Sequence, residues 1–381
     1  MTSTPRILHC HSTFAAAGAG ARSASLINAL GKGLSHHVVS ADPERMEARA
    51  LIDRRKSEVG YPADFPSLTG RPAPGKLIAI AQALKPYDLI LSYGWGAMNV
   101  AMAHTVFAQQ LGLPPLIHHE DGFDAGAVQE LSFRRNWYRR IALGRAHSLV
   151  VPGETLEKIA VDVWKQPRQR VVRVPPGIDT KAFARKPDPG KLRLVKREGE
   201  VWIGTLSDLG ANEQLPRLVE AVPDLPENCH LVILGEGPEK EAIQDAAVGR
   251  EVSHRVHLLG AIDDPSKVIG LFDIFAQALT TEQFPLAVVK AMAAGLPIVA
   301  PDVGDIKGIL GERNREFITA TGGAEALAAM LGEFARDPDL AKRIGRENRE
   351  KARKLFDISR MAERYADLYS GALDGAWKGP R

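Results

Sequence analysis

Thr280-Thr281-Glu282-Gln283-Phe284-Pro285-Leu286-Ala287-Val288-Val289-Lys290-Ala291-Met292-Ala293-Ala294-Gly295-Leu296-Pro297-Ile298-Val299-Ala300-Pro301-Asp302 is the stretch from which the fold is read. It comprises a loop with one acid, Glu282, a helix opened by Pro285, a stop at Gly295 and a buried strand running to Asp302. Proline near the start and glycine just past the end punctuate a short helix, whose free N-terminal N–H groups and dipole favour an anion. The segment therefore predicts a negatively charged ligand beside Glu282.

Strand and helix patterns alternate on both sides of it. Strand patterns occur at Val201 to Leu206, Leu231 to Leu234, Val256 to Leu259, Ile274 to Ala278 and Ile298 to Ala300. Gly235-Glu236-Gly237-Pro238 closes the second of these and opens a helix at Pro238. This alternation predicts a mostly parallel sheet with right-handed crossovers. Residues 323 to 356 read as helical, and Ile358 to Leu373 as a last amphipathic helix.

The first half has the same grammar. Ile7 to His11 reads as a strand, Arg22 to Leu34 as an amphipathic helix through Leu26, Ile27 and Leu30, and Val38 to Ala41 as a second strand. Residues 43 to 74 read as an irregular exposed connection, Leu77 to Leu84 as a helix and Tyr87 to Tyr93 as a strand. His147 to Val151 and Val171 to Val174 are further buried strands around a helix with Leu156, Ile159 and Val163. The fold class is α/β with two Rossmann-like halves, and the basic, proline-containing stretch up to Glu200 is the natural linker. A length of 381 residues fits two domains, since a single core usually stops growing below it.

Hydrophobic residues at 45% and charged residues at 25% describe an ordinary soluble chain. A net charge of +3 is too small to argue for nucleic acid, and no recognition module for it is visible. Cys10 and Cys229 have no C-x-x-C spacing and suggest a reducing compartment. No signal-peptide apolar region precedes the first strand, and no run of about 18 apolar residues occurs. The expectation is a cytoplasmic protein with at most peripheral contact with the inner face of the cytoplasmic membrane.

Candidate residues cluster just past predicted strand ends, where open α/β sheets bind ligands. Phe14 to Ala21 is a small-residue loop in which Gly18 and Gly20 let a backbone approach a ligand. Gly18-x-Gly20 with Asp42 beyond imitates a dinucleotide fingerprint, but Ser23 stands where the third glycine or alanine belongs. An NAD-dependent enzyme and a loop of packing glycines are the alternatives here. Ser92-Tyr93-Gly94-Trp95-Gly96-Ala97 and His118-His119-Glu120-Asp121-Gly122-Phe123-Asp124 are the other two clusters. For His118 to Asp121 the readings are a metal site, which adjacent strand histidines on opposite faces disfavour, a helix-capping set, or acceptor binding near the reacting centre. In Phe133 to Ile141, Arg134, Arg135, Arg139 and Arg140 alternate with aromatics, which suits an anionic membrane or acceptor, or a solvated face over a packed Trp137.

Four phrases carry a family resemblance. Glu282 with the following small residues and Gly295-Leu296-Pro297-Ile298-Val299 is similar to the donor-sugar motif of retaining GT-B glycosyltransferases of family four (group 1). In that motif a second Glu stands eight residues on, where this chain has Lys290. Trp95-Gly96-Ala97 and His118 to Phe123 resemble a bacterial branch of the family, and Pro175-Pro176-Gly177-Ile178-Asp179 resembles its Pro-Asn-Gly-Ile-Asp hinge with Pro176 replacing Asn. The resemblance implies two Rossmann-like domains with parallel sheets facing across a cleft. Residues 1–178 would form the acceptor domain, 179–198 the hinge, 199–356 the donor-nucleotide domain and 357–381 a helix crossing back.

It also implies a hexosyltransferase-like enzyme of polysaccharide biosynthesis, moving a sugar from a nucleotide-sugar donor to a glycan or lipid-linked acceptor with retention of configuration, without a cofactor or obligatory metal. In the family the first acid binds sugar hydroxyls, the second binds the ribose, and a basic pair after the first strand of the second domain grips the phosphates. Within Thr205 to Arg217, Glu213 stands for the Lys of that pair and Asp208 or Gly210 for the Arg. Each charge-assisted hydrogen bond lost is worth roughly 1.5 to 3 kcal/mol. Two readings follow: Lys290 has taken over the phosphates while Glu213 accepts a hydroxyl, or the chain is a non-catalytic GT-B homologue that binds or regulates. The implied donor set is Gly18, Gly20, Asp208, Glu213, Arg217, Gly235, Glu282, Phe284, Pro285, Leu286 and Lys290; the catalytic set is Asp121, Glu120, His119 and Glu282. Tyr93, Trp95, His118, His119, Arg134 and Arg135 are the implied acceptor contacts.

Overall fold

Apolar runs buried on both faces belong in the middle of a parallel sheet covered by helices. Ile7 to His11, Leu89 to Tyr93, Leu116 to His119 and Ser148 to Val151 are buried throughout in this way. The computed structural model describes residues 4–122, 133–282, 284–320 and 322–380. Phe123, Asp124 and Gln283 of the motifs above lie outside the described residues.

The chain divides into two units, Met1–Pro176 with Ser359–Arg381, and Gly177–Ile358. In unit 1 the elements are β1 (Arg6–Thr13), α1 (Gly18–Leu30), β2 (Ser35–Asp42), β3 (Glu58–Gly60), α2 (Pro74–Leu84), β4 (Leu89–Tyr93), α3 (Met98–Leu111), β5 (Leu116–His119), α4 (Phe133–Ala142), β6 (Ser148–Val151), α5 (Glu154–Asp162) and β7 (Val171–Arg173). Among the described residues these strands form one parallel sheet in the order β3-β2-β1-β4-β5-β6-β7. The order reverses between β1 and β4, which pair in register from Ile7 with Leu89 to His11 with Tyr93.

Unit 2 contains α6 (Thr180–Phe183), β8 (Val201–Leu206), α7 (Leu215–Ala221), β9 (Cys229–Leu234), α8 (Lys240–Gly249), β10 (Val256–Leu258), β11 (Ile274–Ala276), α9 (Leu286–Ala294), β12 (Ile298–Pro301), α10 (Ile306–Ile309), β13 (Ile318–Thr319), α11 (Ala324–Arg336) and α12 (Pro338–Leu355). Its parallel sheet runs β10-β9-β8-β11-β12-β13, so the order reverses between β8 and β11. The last helix, α13 (Ile358–Ala372), packs its buried Tyr365 and Tyr369 into unit 1.

Four expectations need correction. Helix α1 begins at Gly18 rather than Arg22, so the small-residue loop ends at Ala17 and Gly18 to Ala21 are its first turn. The connection 43–74 contains β3, an edge strand of three residues paired with β2. Helix α8 starts at Lys240, with Pro238 in the turn before it. Residues 323–356 break at Asp337, whose side chain accepts from Leu340 N–H and caps α12, with Pro338 at its first position.

The helix of the opening segment is held from outside by α12. Asn348 Oδ1 accepts from Gly311 N–H, and its amide donates to Leu296 O and Asn314 Oδ1, all fully buried. Gly345, one turn earlier, lies so close that a Cβ there would stand 2.0 Å from the Gly295 carbonyl oxygen. Helix propensity alone makes Gly345→Ala stabilising by about 1 kcal/mol. The packing predicts the reverse, a loss of roughly 2 kcal/mol from forcing α12 off the end of α9, measurable by urea denaturation.

Candidate functional site

The carboxyl edge of unit 1 opens into a cavity of about 570 Å³ at the β1/β4 switch point. Its lining includes Ser12 and Thr13 from β1, Ala17 to Gly20 at the start of α1, Gly94, Trp95 and Gly96 after β4, and Glu120 and Asp121 after β5. Arg45, Arg135 and Arg139 add positive charge. Helix α1 has no acidic residue in its first turn and no side-chain cap, so its N–H groups and dipole remain suited to an anion.

The two acids are held by arginines. Arg139 Nε donates to Glu120 Oε2 at 2.8 Å, and both groups are buried. Burial by itself raises the Glu120 pKa, but His118 and Arg139 outweigh it and hold the carboxyl below its ordinary range. Arg22, from α1, donates through Nη2 to both oxygens of Asp121, whose side chain remains one-third exposed. Although burial disfavours the charged guanidinium, Asp121 and the nearby tyrosines keep it ionised.

His118 and His119 were expected to touch an acceptor, and here the structure corrects the reading. Both rings are essentially inaccessible because β5 lies inside the sheet with both faces covered. His118 Nδ1 shares a hydrogen bond with Ser92 Oγ at 2.8 Å, while His119 stacks between Tyr93 and Tyr365. Tyr93 is also buried; it stacks on His11 at 4.1 Å and its hydroxyl meets His9 Nδ1 at 3.2 Å. Burial pushes His11 down to about 3, His36 to about 4, and His9 and His119 well below the usual histidine value, so this cluster is neutral.

Trp95 is accessible and stands between the first cavity and a second of about 470 Å³. The second is lined by Leu68, Pro72, Met98, Asn99 and Tyr138, with Arg134 and Arg135. The Arg135 and Arg139 guanidiniums lie 5.2 and 4.9 Å from the Trp95 ring. On α4 the expectation of a packed Trp137 is also corrected. Trp137 is 53% exposed, and the tryptophan packed beneath the helix is Trp164, whose Nε1 donates to Asn136.

In unit 2 the opening segment lies at the β8/β11 switch point. The loop after β11 is tied to the loop after β8 where Thr280 N–H donates to Asn212 O at 2.9 Å. Glu282 Oε1 accepts from Phe284 N–H at 3.1 Å, and Pro285 precedes the first turn of α9. Phe284 and Pro285 are buried, whereas Leu286 is exposed. Gly235, at the end of β9, serves close packing: a Cβ there would lie 1.7 Å from the Ser207 carbonyl oxygen. Arg217 sits in α7 and Asp208 is exposed on the β8 loop. Two buried polar atoms at this edge, Thr205 Oγ1 and Gln277 Oε1, lack a hydrogen-bond partner among the described residues. Neither they nor Arg22 carried a signal in sequence, since each is ordinary in its own element.

Glu213 and Lys290 do not pair with each other. Burial, reinforced by the charges of Asp208 and Glu282, pushes Glu213 up to about 7. Burial lowers the Lys290 pKa, and its ammonium has no carboxylate at ion-pair distance among the described residues. Because the folded carboxyl titrates above the ordinary 4.5, unfolding releases protons between these values and stability falls as pH rises through that window. Glu213→Gln is expected to match the unmodified chain below about pH 4.5 and to be about 2 kcal/mol more stable at about pH 8. Urea denaturation at both pH values measures this; a difference independent of pH contradicts the assignment.

Comparisons with known proteins agree with this architecture. Residues 16–182 match Glycosyltransferase Family 4 and residues 191–351 match Glycosyl transferases group 1, together most of the chain. A GDP-mannose-dependent alpha-(1-6)-phosphatidylinositol monomannoside mannosyltransferase of Mycobacterium tuberculosis is 24% identical over 353 residues, 88% of this chain and 90% of that protein. The N-acetyl-alpha-D-glucosaminyl L-malate synthase of Bacillus anthracis is 24% identical over 143 residues, and the match spans 38% of each protein. Another match, to EpsD of Bacillus subtilis, spans about half of that relative, 47% of its length, at 28% identity. Among solved structures, Anabaena HepE in complex with UDP superposes with a TM-score of 0.79 at 18% identity, over 96% of this chain and all of that one. WaaG, a glycosyltransferase involved in lipopolysaccharide biosynthesis, gives 0.66 at 17% identity, also over 96% of this chain and all of that one. With two Rossmann-like parallel sheets and both family matches, the chain belongs to the group 1 glycosyltransferases of the GT-B fold.

Proposed function

We propose that this chain transfers a glycosyl group from a nucleoside diphosphate sugar to a glycan or lipid-linked acceptor, with retention of anomeric configuration and no obligatory metal. The observation that carries the reading is the meeting of the β8 and β11 loops at the unit 2 switch point, with Glu282 and the start of α9 upon it. Ligands bind open α/β sheets at such points, and a helix N-terminus favours a phosphate. HepE has been crystallised with UDP-glucose, and the M. tuberculosis relative is named for GDP-mannose, which supports a nucleotide-sugar donor.

In this reading Glu282 orients the sugar hydroxyls, while Lys290 and the α9 N–H groups hold the diphosphate. Glu213, in its protonated form, donates a hydrogen bond to it. The acceptor occupies the first cavity of unit 1 with Asp121 beside its reacting hydroxyl. The acceptor oxygen bonds to the anomeric carbon as the carbon–phosphate oxygen bond breaks, and a diphosphate oxygen takes the acceptor's proton. Asp121, fixed by Arg22, orients that hydroxyl within the cavity. Protein groups meet the diphosphate charge, so the proposal requires no metal. A non-catalytic homologue is the second reading, favoured by the proximity of Asp208, Glu213 and Glu282.

Thermal melts with a panel of UDP- and GDP-sugars are expected to find one that raises Tm by mass action, accompanied by slow release of free sugar. Lys290→Ala should weaken that ligand at least about tenfold through loss of a charge-assisted hydrogen bond. Failure of every nucleotide sugar to bind refutes this donor site, whereas binding with no turnover supports the second reading.

We also propose a cytoplasmic location with peripheral contact between α4 and an anionic membrane. Phe133, Trp137 and Ile141 recur every four residues along one exposed stripe, with Arg134, Arg135 and Arg140 beside them. Trp137→Ala is expected to lower co-sedimentation with phosphatidylglycerol vesicles about fivefold. Unchanged co-sedimentation means that α4 is not the contact.

A further inference from the structure

The amino edge of the unit 1 sheet holds a separate cavity of about 940 Å³. Its wall gathers the starts of β1, β2 and β3 at Arg6, Ser35 and Glu58, the turn after α1 at Lys32, and the β2–β3 connection at Arg49 and Arg54. Four cations therefore line it against one carboxylate. Nearby acids are engaged elsewhere: both oxygens of Asp53 accept from Arg55, and Asp88 accepts from the Arg6 backbone N–H. Among the described residues the ion pairs of this region are Arg45–Glu47 and Arg55–Asp53, so none of the four cavity cations has a carboxylate, Glu58 included, at ion-pair distance.

Two of these arginines rest on aromatic rings. The Arg49 guanidinium is 3.9 Å from the centre of the Tyr61 ring and that of Arg6 is 5.1 Å from Tyr87. Such stacking holds the planar group in place; Arg49 also hydrogen-bonds the Tyr61 hydroxyl, which leaves its other N–H groups for a ligand. The four side chains are exposed around the cavity, and like charges gathered about a concavity raise the local concentration of anions. The volume lies at the upper end of the range for small-molecule sites.

We infer that this cavity is a binding site for a small polyphosphate anion, separate from the sugar-transfer site. Arginine forks suit phosphoryl oxygens bidentately, and four cations ask for more than one phosphoryl group. β1 is eight residues long, and the two cavities lie at its opposite ends, on the order of 20 Å apart.

Hydrogen–deuterium exchange of the full chain with inorganic tripolyphosphate tests this by location. Tripolyphosphate is expected to slow exchange in Glu47–Leu51 and Glu58–Gly60 with a saturable midpoint. Arg49→Ala with Arg54→Ala should raise that midpoint at least about tenfold, and the double lysine replacement should retain part of the protection. Vesicles of phosphatidylglycerol should not protect these segments, which distinguishes a soluble anion from a lipid headgroup. Absence of protection in these segments, protection unaltered by the alanine replacements, or protection by vesicles alone would overturn the inference.

Discussion

Glu120 and Arg139 face each other at 2% and 4% exposure, and the site in unit 1 depends on that pairing. A carboxylate so buried must have a charged partner, and stripping one partner from a buried pair typically costs about 3–5 kcal/mol. The partner comes from α4, so the loop after β5 cannot move independently of that helix. The next residue, Asp121, is bound in the same way to Arg22 on α1. Two consecutive acids thus tie one short loop to two different helices, and both helices contribute walls to the cavity in front of it. The Glu120 carboxyl is held below its ordinary value, so its contribution is present above about pH 4.5 and is lost under stronger acid.

Behind these pairs the interior of unit 1 is polar yet uncharged. His9, His11, His36 and His119 are kept neutral by burial and are stacked or hydrogen-bonded around Tyr93. Protonating them requires opening the sheet, so their folded pKa values lie below 6.5 and their contribution to stability is lost as pH falls through that value. Glu213 of unit 2 works in the opposite direction, because its raised pKa makes ionisation costly as pH rises. The sign differs because burial disfavours the charged form in both cases, which is the acid form of histidine and the base form of glutamate.

The strands were legible where their buried runs were long enough to show. Leu89 to Tyr93 and Leu231 to Leu234 declare themselves, whereas β3 is the poorly buried edge Glu58-Val59-Gly60 without an apolar run, and β13 has two residues, too few for any periodicity. The start of α1 was misread because Ala17 offers no side-chain cap and Gly18 to Ala21 no apolar rhythm. Glu282, Glu213 and Lys290 could be singled out because each sits in or near a recognisable local motif. Arg22 could not be assigned to Asp121, 99 residues away, since an ion pair between elements leaves no trace in either one. The two histidines failed for a different reason: a central strand covered on both faces buries alternate side chains equally, so pointing in opposite directions exposed neither.

The altered charges of unit 2 also look different in three dimensions. A simple exchange of positions would have placed Glu213 against Lys290, with each neutralising the other and little left for a ligand. Instead Glu213 feels Asp208 and Glu282, while Lys290 remains a half-buried cation on the first turns of α9. Holding an ammonium there costs solvation that no described carboxylate returns. Holding Glu213 beside two other acids costs more as it ionises. An anion bound at the start of α9 would relieve the first cost, and a proton on Glu213 relieves the second while turning that side chain into a hydrogen-bond donor. The two departures are therefore complementary without touching: one is a half-buried cation on α9, the other a carboxyl whose proton is retained to about pH 7.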